Sequence, residues 1–217
     1  MIRNFVDGVI ARPRWVGMFA ALAAGYILLT IFTYSQNIEQ TLWNLPPGAN
    51  ATDREVVANQ LRAELPVRCA FLPFRLLIGW AAISLVLFNV CKSFAPAGII
   101  RFRQVFAIQI AAEMIPLLGS FGAAVYALAT DSPHFETIPF NLTAIIDPHR
   151  SAVLHTLLGS FNLVQLFYVA FLGYGISRLC NFGKAKAMLI VLSVWAVSIW
   201  CNALMMQYVA QEMHLPL

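Results

Sequence analysis

Charge is scarce in this sequence. Asp, Glu, Lys and Arg make up 11% of its residues, where an ordinary soluble domain carries about a quarter. With 60% hydrophobic residues, too little polar surface remains to cover a water-soluble globule, so lipid is the expected solvent. The signatures of chemistry are missing as well. No HExxH, GxSxG or P-loop occurs, and no serine or cysteine stands at one membrane depth with a histidine, so no enzyme activity, catalytic residue or cofactor is expected. There is no heptad, solenoid period or low-complexity tract, and no nucleic-acid-binding motif. Cys69, Cys91, Cys180 and Cys201 are scattered with no pair evident at one depth, and are expected to be free structural thiols. Asp131, His134, Glu136, Asp147 and His149 share one loop but match no ligand spacing, so no metal site is expected.

What the sequence does have is apolar length. Five runs, residues 15–34, 71–91, 105–129, 152–176 and 187–209, reach the roughly 20 residues needed to cross a hydrocarbon core. The expected fold is all-α: a bundle of five transmembrane helices forming one membrane domain over residues 1–217. The first run is too long for a cleaved signal peptide and is expected to stay as an anchor. With the N-terminus inside, nine basic residues fall on the inner side and four on the outer. Lys and Arg near helix ends stay cytoplasmic, so the N-terminus is expected inside and the C-terminus outside. The net charge of +4 then needs membrane lipid, not nucleic acid, as its partner.

In the first outer loop, "TDREVVANQLRAELP" opens with a capping box, Thr52 with Glu55, and ends on Pro66. A short helix over 53–65 is expected. Val56, Val57, Leu61 and Leu65 recur at near-helical spacing and make it amphipathic, suited to packing on its own bundle, lying on the membrane or docking a partner.

The residue that asks for a reason is Glu113, inside the apolar run "IQIAAEMIPLLGSFG". A carboxyl at mid-bilayer costs about 2.5–3.5 kcal/mol on insertion scales, so it should face the bundle and find partners. At 1.5 Å per residue it lies about 18 Å from the outer edge, with Asn162 at about 15 Å and Gln165 at about 20 Å on the fourth span. Gln109, Glu113, Pro116 and Ser120 form one polar, small-residue stripe, and His155, Gly159 and Asn162 form another; the two are expected to face each other. Arg75, in the second span, is expected to snorkel outward. Two readings stand side by side. Either Glu113 is a structural acid hydrogen-bonded to Asn162 or Gln165, or Glu113, His155 and Arg75 belong to an ion or proton path, with Pro116 freeing a backbone carbonyl nearby.

Taken in order, "ARPRW", "ATDREVVANQLRAEL", "RFRQVFAI", "LLGSFNLVQLFYVAFLGYGIS" and "GKAKAMLIVLSVW" resemble the Yip-domain family of multi-pass membrane proteins, most of all its bacterial branch. The chain departs from that pattern: Asn162, Val164 and Phe167 stand where the family has Asp, Phe and Trp. Glu113 stands where a small residue is expected, as though an acid had moved from the fourth helix to the third. The resemblance implies five spans and a bacterial inner membrane. It further implies a scaffold or accessory role with other integral membrane proteins, an ABC-type exporter among them, with homo-oligomers also compatible. The alternative function is a small ion or proton permease built on the Glu113 layer.

Overall fold

The computed structural model describes residues 2–43, 50–95, 100–129 and 162–212. In chain order they form α1 (Ile2–Ala11), α2 (Trp15–Trp43), α3 (Ala51–Phe94), α4 (Phe102–Ala112), α5 (Met114–Ala129), α6 (Leu163–Cys180) and α7 (Lys184–Glu212). Among the described residues, five segments are long and apolar enough to cross a membrane: Trp15–Tyr34, Arg54–Phe94, Phe102–Ala129, Leu163–Cys180 and Lys184–Met205. The first coincides with the run expected from the sequence. The second and third contain the expected runs, and the last two overlap theirs with shifted ends.

The bundle is organised around α4. Every residue from Val105 to Ala112 is buried, which follows from a helix that is apolar on all sides. Ala107, Ala111 and Ala112 bring neighbouring backbones close, and α1, α2, α3, α5 and α6 all pack on it. Gly175 of α6 faces Ile108 so closely that a Cβ there would overlap its Cγ2 atom. Gly173 makes the same kind of approach to Met188 of α7. The outside of the bundle is apolar, with Phe71, Phe74, Ile78 and Leu189 exposed, as a lipid-facing surface requires.

The expected separate helix over 53–65 is corrected. Helix α3 begins at Ala51, so Thr52 lies inside it, and it runs unbroken through Pro66 and Pro73 to Phe94. Each proline removes one donor, leaving the carbonyls of Arg62 and Cys69 without an i+4 partner, but a packed helix tolerates such single losses. The packing is visible: Leu61 and Leu65 sit against Tyr34, Ile38 and Ala58, and the Tyr34 hydroxyl donates to the Leu61 carbonyl. Val57 is half-buried and Val56 exposed. The stripe thus belongs largely to the α2–α3 hairpin. At 1.5 Å per residue α3 is about 66 Å long, twice the hydrocarbon thickness, so the hairpin extends well past the bilayer core.

Two further expectations change. The third span is two helices that meet at Glu113. The fourth helix starts at Leu163, not at Ala152, with residues 152–161 outside the described ones. Helix α6 ends on Asn181 in the left-handed region, φ 53°, which Asn adopts more readily than most residues. There the Phe182 amide donates to the Ser177 carbonyl at 3.1 Å, and α7 returns antiparallel along α6.

The amphipathic helix α1 had no counterpart in the sequence reading. Val6 and Val9 are buried against α4 and α6. Asp7 accepts from Arg178 Nη2 at 3.0 Å and Nε at 3.2 Å, and Gln104 Nε2 donates to the Ile10 carbonyl at 3.2 Å. Nearby, Cys91 of α3 and Cys180 of α6 are buried beside each other in one apolar cluster. All four cysteines are free thiols, as expected, but the expectation that no two share a depth is overturned. Both residues close even-numbered spans, which places them at the same end of the bundle.

Candidate functional site

Glu113 is the C-cap of α4, at φ −65° and ψ −12°. The backbone ladder continues across it, with Glu113 N–H on the Gln109 carbonyl at 3.1 Å and Leu117 N–H on the Glu113 carbonyl at 3.3 Å. The irregularity is explained by Pro116, which offers no donor to the Ala112 carbonyl and whose ring crowds it. A proline one turn beyond the acid thus removes one rung of the ladder while the helical course runs on through the acid.

The side chain of Glu113 is 8% exposed. Gln109 Nε2 donates to Oε1 at 2.8 Å, and the Tyr168 hydroxyl and the Trp80 indole stand beside the carboxyl. The same Gln109 nitrogen donates to the Tyr168 hydroxyl at 2.6 Å. Helices α3, α4 and α6 therefore meet around one carboxyl. Among the described residues, no Lys or Arg forms an ion pair with Glu113.

This cluster borders a cavity of about 370 Å³, into which Glu113, Pro116 and Gln165 face together with Tyr26, Trp80, Tyr168, Trp195 and Ser198. The volume falls within the range of small-molecule sites, about 300–1,000 Å³. Tyr26 stands beside Trp80, with ring centroids 6.1 Å apart.

Of the six residues expected in the polar layer, Glu113, Pro116 and Gln165 are brought together. Asn162 is not a partner of Glu113. It is the N-cap of α6, its Oδ1 accepting from the Gln165 backbone N–H at 2.8 Å, because the helix begins one residue later. Arg75 is exposed on α3. His155 lies outside the described residues, as does the loop carrying Asp131, His134, Glu136, Asp147 and His149. Among the described residues no cluster of three or more metal-ligating side chains occurs.

The sequence reading passed over Tyr26, Trp80, Tyr168 and Trp195. A signal was present for two of them. Trp80 lies at the middle of the second run, where an indole N–H has no water and must find an acceptor, whereas membrane tryptophans gather at the interfaces. Tyr26 lies near the middle of the first.

The cluster is not fully satisfied. Gln109 Oε1 is buried without a hydrogen-bond partner, which costs about 1–3 kcal/mol. A polar network whose sole role was to hold helices together would gain by closing that gap. Instead the acid bonded to that amide lines an open volume. No family model, curated protein or solved structure matches the chain.

Proposed function

We propose that this protein is a multi-pass membrane protein that takes up a cation at Glu113, as a small ion or proton permease. The observation behind the proposal is a buried carboxyl on a proline-distorted helix, lining a cavity to which no described basic residue contributes. Ionisable side chains inside membrane spans mark ion pathways and binding sites. A carboxylate without a counter-charge is stable in such a place only with a proton or another cation upon it.

The proposed setting is a bacterial inner membrane with the N-terminus cytoplasmic and the C-terminus outside, supported by the nine-to-four division of basic residues. The Yip-domain resemblance and the accessory role it implies rest on sequence segments alone. The cavity around Glu113 favours the permease reading over them.

Proteoliposomes containing a pH-sensitive dye test it. Under an imposed potential the wild-type protein should carry protons or monovalent cations, and Glu113→Gln should reduce the rate at least about tenfold. Flux equal to that of protein-free liposomes would refute the reading.

A further inference from the structure

A second volume adjoins the Glu113 cavity. It is an apolar groove of about 740 Å³ between α3 and α7, lined by Val86, Val90, Phe94, Leu189 and Val197 among others. Ile83, Val194 and Ser198 line both the groove and the cavity, so the two share one wall. Their chemistries differ. The groove is walled by aliphatic and aromatic carbon, and several of its residues, Val86, Leu189 and Val197, are exposed on the bundle's outer face. The cavity joins a carboxyl to Tyr26, Trp80, Tyr168 and Trp195.

A carboxylate surrounded by aromatic rings is the arrangement that recognises organic ammonium ions, whose diffuse charge is attracted to ring faces within about 6 Å. A small, strongly hydrated metal ion would instead ask for several oxygen ligands, with charged carboxylates among them, and besides the one carboxyl the lining offers only the neutral oxygens of Tyr26, Gln165, Tyr168 and Ser198. The geometry points to a single-chain alkylammonium amphiphile as the ligand. Its head occupies the aromatic cavity at Glu113, and its hydrocarbon tail lies in the α3–α7 groove. Charge complementarity fixes the head, because no described basic residue lines the cavity. The shared wall of Ile83, Val194 and Ser198 sets where the tail would pass from cavity to groove. A lipid-facing groove also gives such a molecule access from the bilayer, where it partitions.

This inference rests on the reading of Glu113 as a cation site and adds the ligand's class and pose. The experiment uses the full chain in nanodiscs of zwitterionic lipid, with dodecyltrimethylammonium as probe and empty nanodiscs as the partition control. Saturable binding near one probe per protein is expected, weakened at least about tenfold by Glu113→Gln. Neutral dodecanol should bind no better than to empty discs. Val194→Trp, which fills the junction, should weaken dodecyltrimethylammonium at least about fivefold and leave tetramethylammonium within about twofold. Since Val194 is no partner of the acid, this variant remains informative if Glu113→Gln does not fold.

Equal uptake by wild-type and empty discs would overturn the inference, as would equal affinity for dodecanol, which would make the groove a plain lipid seat. Proton flux that depends on Glu113 in a protein that does not bind dodecyltrimethylammonium would overturn the ligand assignment and leave the permease reading standing. Probe binding without any flux would do the reverse.

Discussion

Tyr168→Phe removes one oxygen from the centre of the polar cluster and little else. Tyr168 is 6% exposed, its hydroxyl receives the Gln109 N–H at 2.6 Å, and it stands beside the Glu113 carboxyl. Phenylalanine keeps the ring against α4, so the perturbation is the bond from Gln109 and the hydroxyl's approach to the acid. Side-chain hydrogen bonds between membrane helices average about 0.6 kcal/mol and reach about 1.7, while those to charged groups run to about 1.5–3 kcal/mol. Gln109 still holds Glu113 Oε1 at 2.8 Å, which limits the loss. A destabilisation of about 1–2 kcal/mol is expected. Reversible unfolding in mixed detergent micelles measures it, and a double-mutant cycle with Glu113→Gln isolates the shared part, expected at about 1 kcal/mol. Additivity within about 0.3 kcal/mol would mean that phenol and acid do not interact, and the cluster described here would be wrong.

Other consequences reach the rest of the bundle. Gly175→Val should cost about 1–3 kcal/mol, because its side chain overlaps Ile108; Gly122→Ala, where a Cβ meets nothing within 4 Å, should be neutral or slightly stabilising by the same unfolding assay. Mild oxidation should link Cys91 to Cys180, identified by peptide mass spectrometry, and should leave Cys69 and Cys201 unpaired within one chain. Failure of that link would contradict the approach of Cys91 to Cys180. Pro66→Ala should raise stability by about 1–3 kcal/mol, since its new N–H meets the waiting Arg62 carbonyl. No gain would mean that the chain turns at residue 66 after all.

The spans were legible because lipid imposes a length on every crossing helix, and the first run could be placed from that alone. Their continuations were not. Proline as a stop signal holds for a helix in water with no neighbour, and Leu61 and Leu65 show the opposite case, a proline-bearing helix held by its hairpin partner. Asn162 misled for a related reason. Apolar composition hid the helix start at Leu163, although Asn immediately before "LVQLF" is an N-cap pattern. Glu113 and Pro116 announced the site because a costly residue needs a reason. The tyrosines and tryptophans around them are ordinary membrane residues until tertiary packing brings α2, α3, α6 and α7 to one place. Cys91 and Cys180 were within reach of the topology: two spans apart, each at the closing end, they had to share a depth.

The central claim is that the Glu113 carboxyl meets a cation inside the bundle. Infrared difference spectroscopy on the protein in lipid, with and without dodecyltrimethylammonium, tests this most directly. The account predicts a carboxyl band change on adding the cation that is absent in Glu113→Gln. Identical difference spectra from the two proteins would contradict it.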